Sequence, residues 1–297
     1  MPYAKKSLGQ HFLRSKGALV KIVGAAKLSS SDTVLEVGPG EGVLTELLIQ
    51  SAGKVIAVEK DDRLIPILQE KFATEIASGR LELLHADILD IDTKRFTLNA
   101  TRFKLVANIP YYITGALIRK FLEAEAQPGM MVLLLQKEVA RRIVAQDGKE
   151  SILSISVKAY GTPKYIDTVK AGSFVPPPNV DSAIISIEGI TKVFFKNIAS
   201  YSSFVKGGAE SFALKDSVED LKSLPPEDGG TPFKKGRIRE AEERFFEMLK
   251  KGFSHPRKLL SSNLALPAET LEACGIDRNA RAETLSLDNW KCLAKKG

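Results

Sequence analysis

Residues 32–62, DTVLEVGPGEGVLTELLIQSAGKVIAVEKDD, leave few folds open to the chain. An apolar run at 34–37 breaks at three glycines, becomes 3.6-type spacing over 43–50, and returns as a second apolar run at 54–58 that ends in an acid. Two short strands joined through a helix pair in parallel, and a parallel sheet needs cover on both faces. The alternation continues. Further strands are expected at 81–84, 104–107, 130–135, 165–169 and 182–187, with helices at 64–72, 116–124 and 138–145. The fold class is α/β, a Rossmann-like, doubly wound domain built on seven strands.

Beyond Thr191 the alternation lapses. SLPPEDGGTPFKKG, 223–236, is rich in Pro, Gly and charge, as a linker or exposed insertion is, and REAEERFFEMLKKGF after it has the pattern of an amphipathic helix. Three parts are expected: a Rossmann-like domain at 1–190, a linker or insertion at 191–239, and a small all-helical domain at 240–297. No apolar run approaches the roughly 18 residues of a membrane span, and the first residues lack the apolar stretch of a secretory signal. A cytoplasmic protein is expected. Cys274 and Cys292, 18 positions apart, fit neither a CxxC pair nor a disulfide framework and read as incidental. His11, His85 and His255 are scattered, so no metal site is expected. A net charge of +7 suits a polyanionic partner.

Gly38, Gly40 and Gly42 allow a sharp turn and a close approach of main chain to a ligand. Glu59, 21 positions after Gly38 at the end of the second strand, is placed to accept both hydroxyls of a ribose. A dinucleotide enzyme would carry GxGxxG to seat a pyrophosphate, whereas this turn is GxGxG, with Val43 at the last glycine's place. S-adenosylmethionine, which has no phosphate and carries positive charge, suits the acids Glu36, Glu41 and Glu59 better. Asp87, after the third strand, can accept from an adenine amino group.

LVANIPYYITG, 105–115, leaves a strand through an amide, a proline and two tyrosines. Ligands of open α/β sheets lie beyond the carboxyl ends of the strands, so this stretch faces the transferable methyl. Asn108 offers a side-chain carbonyl, and Pro110 restrains Ile109 so that its main-chain carbonyl can join it. Two acceptors on one exocyclic amine favour the pyramidal geometry that frees its lone pair. Tyr111 offers a face on which an extruded base can stack, and Phe174, in FVPPPNVDSA, can close the other side. Tyr112 is expected to be a packing residue.

SLGQHFL, LEVGPGEGVLT, HADILDID, NIPYYIT, FVPPPNVDSA and RAETLSLDNW together resemble the KsgA family of small-subunit ribosomal RNA adenine dimethyltransferases, over residues 5–190 and again from about 240 to 297. The resemblance implies transfer of methyl groups from S-adenosylmethionine to N6 of two adjacent adenosines near the 3′ end of small-subunit (16S) RNA during ribosome biogenesis. It implies cofactor contacts from His11, Leu13, Gly38, Glu59, Asp87 and Asn108, a target adenine held by residues 108–111, and a monomer acting on the small ribosomal subunit. His11 stands where the family often has Asn.

The chain departs from the family in three places. It carries roughly 35 to 45 extra residues between Thr191 and Arg239, it reads ESILSISV where the family tends to have Tyr-Gly before its LSV stretch, and Pro256 replaces an expected basic residue in FSHPRKLLSSNL. Candidate phosphate contacts are Lys5, Lys6, Arg14 and Lys16, then Lys137, Arg141 and Arg142, then Arg257 and Lys258. Two other readings share these motifs: a large-subunit (23S) methyltransferase of the antibiotic-resistance type, and an assembly factor acting mainly by binding.

Overall fold

The computed structural model of the protein describes residues 5, 9–97, 102–206 and 235–296, which fall into two compact units divided after Thr191. The first unit holds β1 (Phe12–Leu13), α1 (Lys16–Ala26), β2 (Thr33–Val37), α2 (Val43–Ser51), β3 (Lys54–Glu59), α3 (Ile65–Lys71), α4 (Ala73–Ala77), β4 (Leu81–His85) and β5 (Lys104–Asn108). It continues with α5 (Thr114–Glu123), β6 (Met130–Gln136), α6 (Lys137–Val144), α7 (Ile152–Lys158), β7 (Thr162–Val169), β8 (Phe174–Val175) and β9 (Ser182–Glu188).

The seven expected strands form one sheet in the order β4-β3-β2-β5-β6-β9-β7. The first five run parallel, and β9 is antiparallel to both its neighbours. Strand order reverses between β2 and β5, since the chain leaves β2 toward β3 on one side and later returns to β5 on the other. A crevice at the carboxyl ends of the strands opens at such a switch point.

The strands are apolar because both faces are covered. Val34, Val55, Ala57, Val106, Val132 and Leu134 pack with Leu19 and Ile22 of α1 and Leu44 and Leu48 of α2. By the strand's period of two, Leu35, Ile56, Leu105 and Leu133 point the opposite way and are also buried. Phe96, Phe103 and Phe121 make a separate aromatic cluster, with ring centroids 5.6 to 6.3 Å apart. Helix α1, which was not among the expected helices, is opened by Ser15, whose hydroxyl accepts from Ala18 N–H at 3.3 Å. The departure at ESILSISV has a local explanation: Ser151 and Ser154 cap α7 reciprocally, with bonds of 3.1 and 2.7 Å.

The second unit contains α8 (Val193–Lys206), α9 (Lys235–Gly252), α10 (Leu260–Leu264), α11 (Ala268–Glu272) and α12 (Leu287–Lys296). Part of the expected linker is therefore helix: Phe194 and Phe195 of α8 pack edge to face on Phe245 of α9 at 5.0 and 5.6 Å, so these two phenylalanines belong to a core. Residues 207–234, which include most of the Pro- and Gly-rich stretch, lie outside the described residues. Cys274 and Cys292 are joined in a disulfide, with Cα atoms 5.7 Å apart. That corrects their reading as incidental. The chain between these two positions, 18 apart, turns back so that Cys274, just past α11, meets α12, where Asn289 Nδ2 donates to the Cys274 carbonyl at 3.1 Å. Among the described residues no helix is long and apolar enough to cross a membrane.

Candidate active site

Gly38 follows β2, Lys60 follows β3, Asp87 follows β4 and Asn108 closes β5, so the ends of four parallel strands bring together residues spread over 70 positions. They line an open cavity of about 850 Å³, counting the space at its mouth. His11, Gly38, Gly40, Glu59, Asp87 and Asn108 of the expected cofactor set lie in its wall, together with Ile109, Pro110, Tyr111 and Phe174.

The glycine turn is shaped by backbone sterics. Gly38 and Gly40 have φ of +70° and +60°, and a Cβ on Gly40 would stand 3.2 Å from the Phe12 ring. Glu59 is fixed from three sides. Its Oε1 accepts the N–H groups of Lys60 and Asp61 at 2.9 and 2.8 Å, and its Oε2 accepts Gly40 N–H at 3.1 Å. Burial raises its pKa above the ordinary carboxylate value, and these bonds oppose the rise. Asp87 is held ionised by Lys60, which reaches its Oδ2 at 2.6 Å, while Oδ1 accepts Leu89 N–H at 2.9 Å.

Three residues of the expected cofactor set are not in the cavity wall. Leu13 is buried, paired with Phe174 across the short β1–β8 ribbon. Gly42 serves packing, since a Cβ there would stand 2.5 Å from the Phe72 ring. Glu36 is 1% exposed, and burial pushes its carboxyl up to about 8, partly offset by the nearby Thr45 hydroxyl. Among the described residues its Oε2 and Thr45 Oγ1 have no hydrogen-bond partner, so at neutral pH it adds little negative charge to the site. Glu41 is likewise spoken for, by Arg14 at 2.7 Å.

Around the opening stretch the bonds are directional. Asn108 Nδ2 donates to the His11 carbonyl at 3.2 Å, which leaves Oδ1 as the free acceptor of that amide. The Pro110 carbonyl accepts Ile113 N–H at 3.1 Å, whereas no bond to the Ile109 carbonyl occurs among the described residues. Tyr111 hydroxyl and Ser182 hydroxyl are 2.7 Å apart, and the Tyr111 ring lies 5.9 Å from the His11 ring at an interplanar angle of 27°. His11 Nδ1 is itself 2.8 Å from the Pro176 carbonyl. Phe174 is almost fully buried and forms the floor beside them. Tyr112 is 60% exposed at the mouth, which corrects its reading as a packing residue: the turn at 111–113 points it outward.

Of the phosphate candidates, Arg141 and Arg142 are exposed on α6 and make no ion pair among the described residues. Arg257 and Lys258 are exposed in the second unit, and Pro256 shares their turn. Lys137 pairs with Asp181 at 3.7 Å, and Lys6 lies outside the described residues. Sequence reasoning missed Gln10, Lys60, Asp61 and Ser182. A signal existed for two of them: Asp61 follows the strand-end acid directly in EKDD, and Gln10 precedes His11 in GQHFL.

Residues 1–216 match the family described as ribosomal RNA adenine dimethylase. A protein of Dehalococcoides mccartyi called ribosomal RNA small subunit methyltransferase A is 41% identical over 98% of this chain and 87% of its own length. One of the same name from Fusobacterium nucleatum is 34% identical over 98% of this chain and 96% of its own. Among solved structures, the 23S rRNA methyltransferase ErmE superposes with a TM-score of 0.68 at 25% identity, covering 96% of this chain and 98% of that one. A dimethyladenosine transferase from Plasmodium falciparum gives 0.63 at 26% identity, covering 95% and 96%. With a match over most of its length and relatives this similar along nearly all of it, the chain belongs to the ribosomal RNA adenine dimethylase family.

Proposed function

We propose that the protein transfers methyl groups from S-adenosylmethionine to N6 of two adjacent adenosines near the 3′ end of small-subunit (16S) rRNA, as a monomer acting on the small ribosomal subunit in the cytoplasm. The observation that carries the reading is the amide of Asn108, oriented by the His11 carbonyl so that its oxygen is free at a strand end. The lining fits the cofactor. Two carboxylates, Glu59 and Asp87, stand at neighbouring strand ends, Lys60 in the wall is paired to Asp87, and Gly40 leaves a space that a Cβ would fill. Bound there, S-adenosylmethionine supplies an electrophilic methyl on sulfonium.

The chain's own residues then do three things. Glu59 accepts from the ribose and Asp87 from the adenine amine of the cofactor. Asn108 Oδ1 and the Ile109 carbonyl accept the two hydrogens of the target N6, drawing the amine toward a geometry whose lone pair is available for attack; a strong base is not needed. Tyr111, pinned at its hydroxyl by Ser182, holds the extruded base by its face, a contact worth about 1–3 kcal/mol. Arg141, Arg142, Arg257 and Lys258 provide unpaired positive charge for phosphates.

The superposition on ErmE supports one other reading, a large-subunit substrate. Methyl transfer from labelled S-adenosylmethionine to undermethylated small subunits, large subunits and protein-free RNAs, run in parallel with mapping of the product, separates the two. Dimethyladenosine confined to the small-subunit 3′ end is expected. Label on the large subunit alone would move the assignment there, and no label on any RNA would favour a factor that acts by binding.

A further inference from the structure

Asp61 is 2% exposed and makes more polar contacts than packing requires. Its Oδ1 accepts Arg63 Nε at 2.9 Å, and its Oδ2 accepts both an Arg63 terminal nitrogen at 2.6 Å and Gln10 Nε2 at 2.8 Å. Its main-chain N–H donates to Glu59 Oε1 at 2.8 Å. Gln10 is followed by His11, whose carbonyl orients the Asn108 amide at 3.2 Å. One residue thus touches the proposed ribose carboxylate directly and reaches the proposed catalytic amide through two steps.

We propose that Asp61 is a positioning residue that couples the cofactor-binding carboxylate Glu59 to the orientation of the Asn108 amide, acting through Gln10 and His11. The proposal rests on the methyl-transfer reading above. Its physical core is the ambiguity of an amide. The two ends of an Asn side chain have nearly the same shape and opposite hydrogen-bonding sense, so something must decide which end faces the cavity. Here that is the His11 carbonyl, carried on an N-terminal segment of short pairing: β1 contributes two residues, Phe12 and Leu13. Ahead of that pairing the segment has two side-chain anchors among the described residues, the His11 Nδ1 contact with the Pro176 carbonyl at 2.8 Å and the Gln10–Asp61 bond, and the second is charge-assisted and so among the stronger kinds. Arg63 in turn keeps the Asp61 carboxylate in place by a two-point contact. If Gln10 is released, only the Pro176 contact holds the segment ahead of β1, so the His11 carbonyl is less firmly placed and the Asn108 amide turns more often, presenting a donor where an acceptor is needed.

The test uses the full chain with Gln10→Ala, Asp61→Ala and Asp61→Asn, and with Asp62→Asn as the control on an exposed neighbour. Hydrogen exchange of the 9–13 segment is followed by mass spectrometry, S-adenosylhomocysteine affinity by calorimetry, and turnover at saturating cofactor on whichever ribosomal RNA the wild type methylates. Gln10→Ala is expected to speed exchange in that segment and lower turnover, each roughly tenfold for the loss of one charge-assisted hydrogen bond, with ligand affinity changed less than about twofold. Asp61→Ala should match it. Asp61→Asn, which keeps an acceptor for Gln10, should recover most of the loss, and Asp62→Asn should behave as wild type. Unchanged exchange or unchanged turnover in Gln10→Ala would overturn the proposal. So would losses in the Asp61 variants that track the unfolding midpoint alone, which is what a brace of the fold would give. Because exchange is read without RNA, a wild type that methylates no ribosomal RNA would sink the substrate assignment, while the segment's response would still decide the coupling.

Discussion

Asn108 Nδ2 donates to the main-chain carbonyl of His11 at 3.2 Å, joining residues 97 positions apart. The bond turns a symmetric-looking side chain into a directed acceptor, and under the proposed reaction it gives the N-terminal segment a part in the chemistry. Asn108→Ala removes one of two acceptors for the target amine, so turnover should fall roughly 5- to 150-fold, the equivalent of about 1–3 kcal/mol. RNA affinity, carried by phosphate contacts elsewhere, should hold. Single-turnover methylation beside filter binding of the same RNA checks this, and a parallel fall in both would assign Asn108 to RNA docking.

Tyr111 makes two separable contributions. Its ring offers a stacking face, and its hydroxyl bonds Ser182 at 2.7 Å in a half-buried setting that raises its pKa. Tyr111→Phe keeps the ring and should cost little in turnover, with about 1 kcal/mol of stability lost as the fully buried Ser182 hydroxyl is left without that bond. Tyr111→Ala should raise the Michaelis constant for RNA or lower turnover by tenfold or more, as loss of a base stack of about 1–3 kcal/mol implies. Equal damage from both would shift the role to the hydroxyl.

What could be read in the sequence follows from which interactions are local. The five parallel strands were legible because a covered parallel strand is apolar nearly throughout, and the carboxyl-end acids because Glu59 closes β3 and Asp87 stands two residues past β4. Helix α1 was missed because apolar residues lie on its outer side too, with Val20 exposed beside the buried Leu19 and Ile22, so no one-sided stripe marks it. The Cys274–Cys292 bridge was missed because pairing depends on a turn, which spacing alone does not reveal. The same holds for Glu36 and Gly42: a motif lists residue types, but which of them faces the ligand is decided by neighbours such as Thr45 and Phe72.

Gly42 and Gly40 provide a test of that distinction. Both have positive φ, +76° and +60°, but an added Cβ would stand 2.5 Å from the Phe72 ring at Gly42 and 3.2 Å from Phe12, in the cavity wall, at Gly40. Gly42→Ala should destabilise the sheet domain by about 2–4 kcal/mol, from overpacking added to the left-handed backbone cost, with cofactor affinity nearly kept in the folded fraction. Gly40→Ala should show the reverse balance, a smaller stability loss and a clear fall in cofactor affinity. Urea unfolding and calorimetry on the two variants provide the comparison; if Gly42→Ala instead loses cofactor without losing stability, the glycine belongs to the binding site after all.

Glu36 makes the stability of the sheet domain depend on pH in a direction opposite to that of most carboxylates. Burial raises its pKa from 4.5 to about 8, so the folded protein keeps a proton that the unfolded chain gives up. A raised value means that the stabilising contribution is whole below about 4.5 and is lost as pH climbs through about 8. Each tenfold difference in proton affinity between folded and unfolded chain is worth about 1.4 kcal/mol, so the loss across that window is on the order of several kcal/mol. Glu36→Gln cannot ionise and removes this slope, while Glu59, also raised by burial and facing Glu36 by charge, is present in both proteins. The difference between their urea unfolding free energies should therefore grow in favour of Glu36→Gln from about pH 5.5 until it levels off near pH 8, the span in which the unfolded chain's carboxyl is ionised and the folded one still holds its proton. Parallel curves would mean that the carboxyl ionises as it does in the unfolded chain, and that Glu36 carries its negative charge into the site.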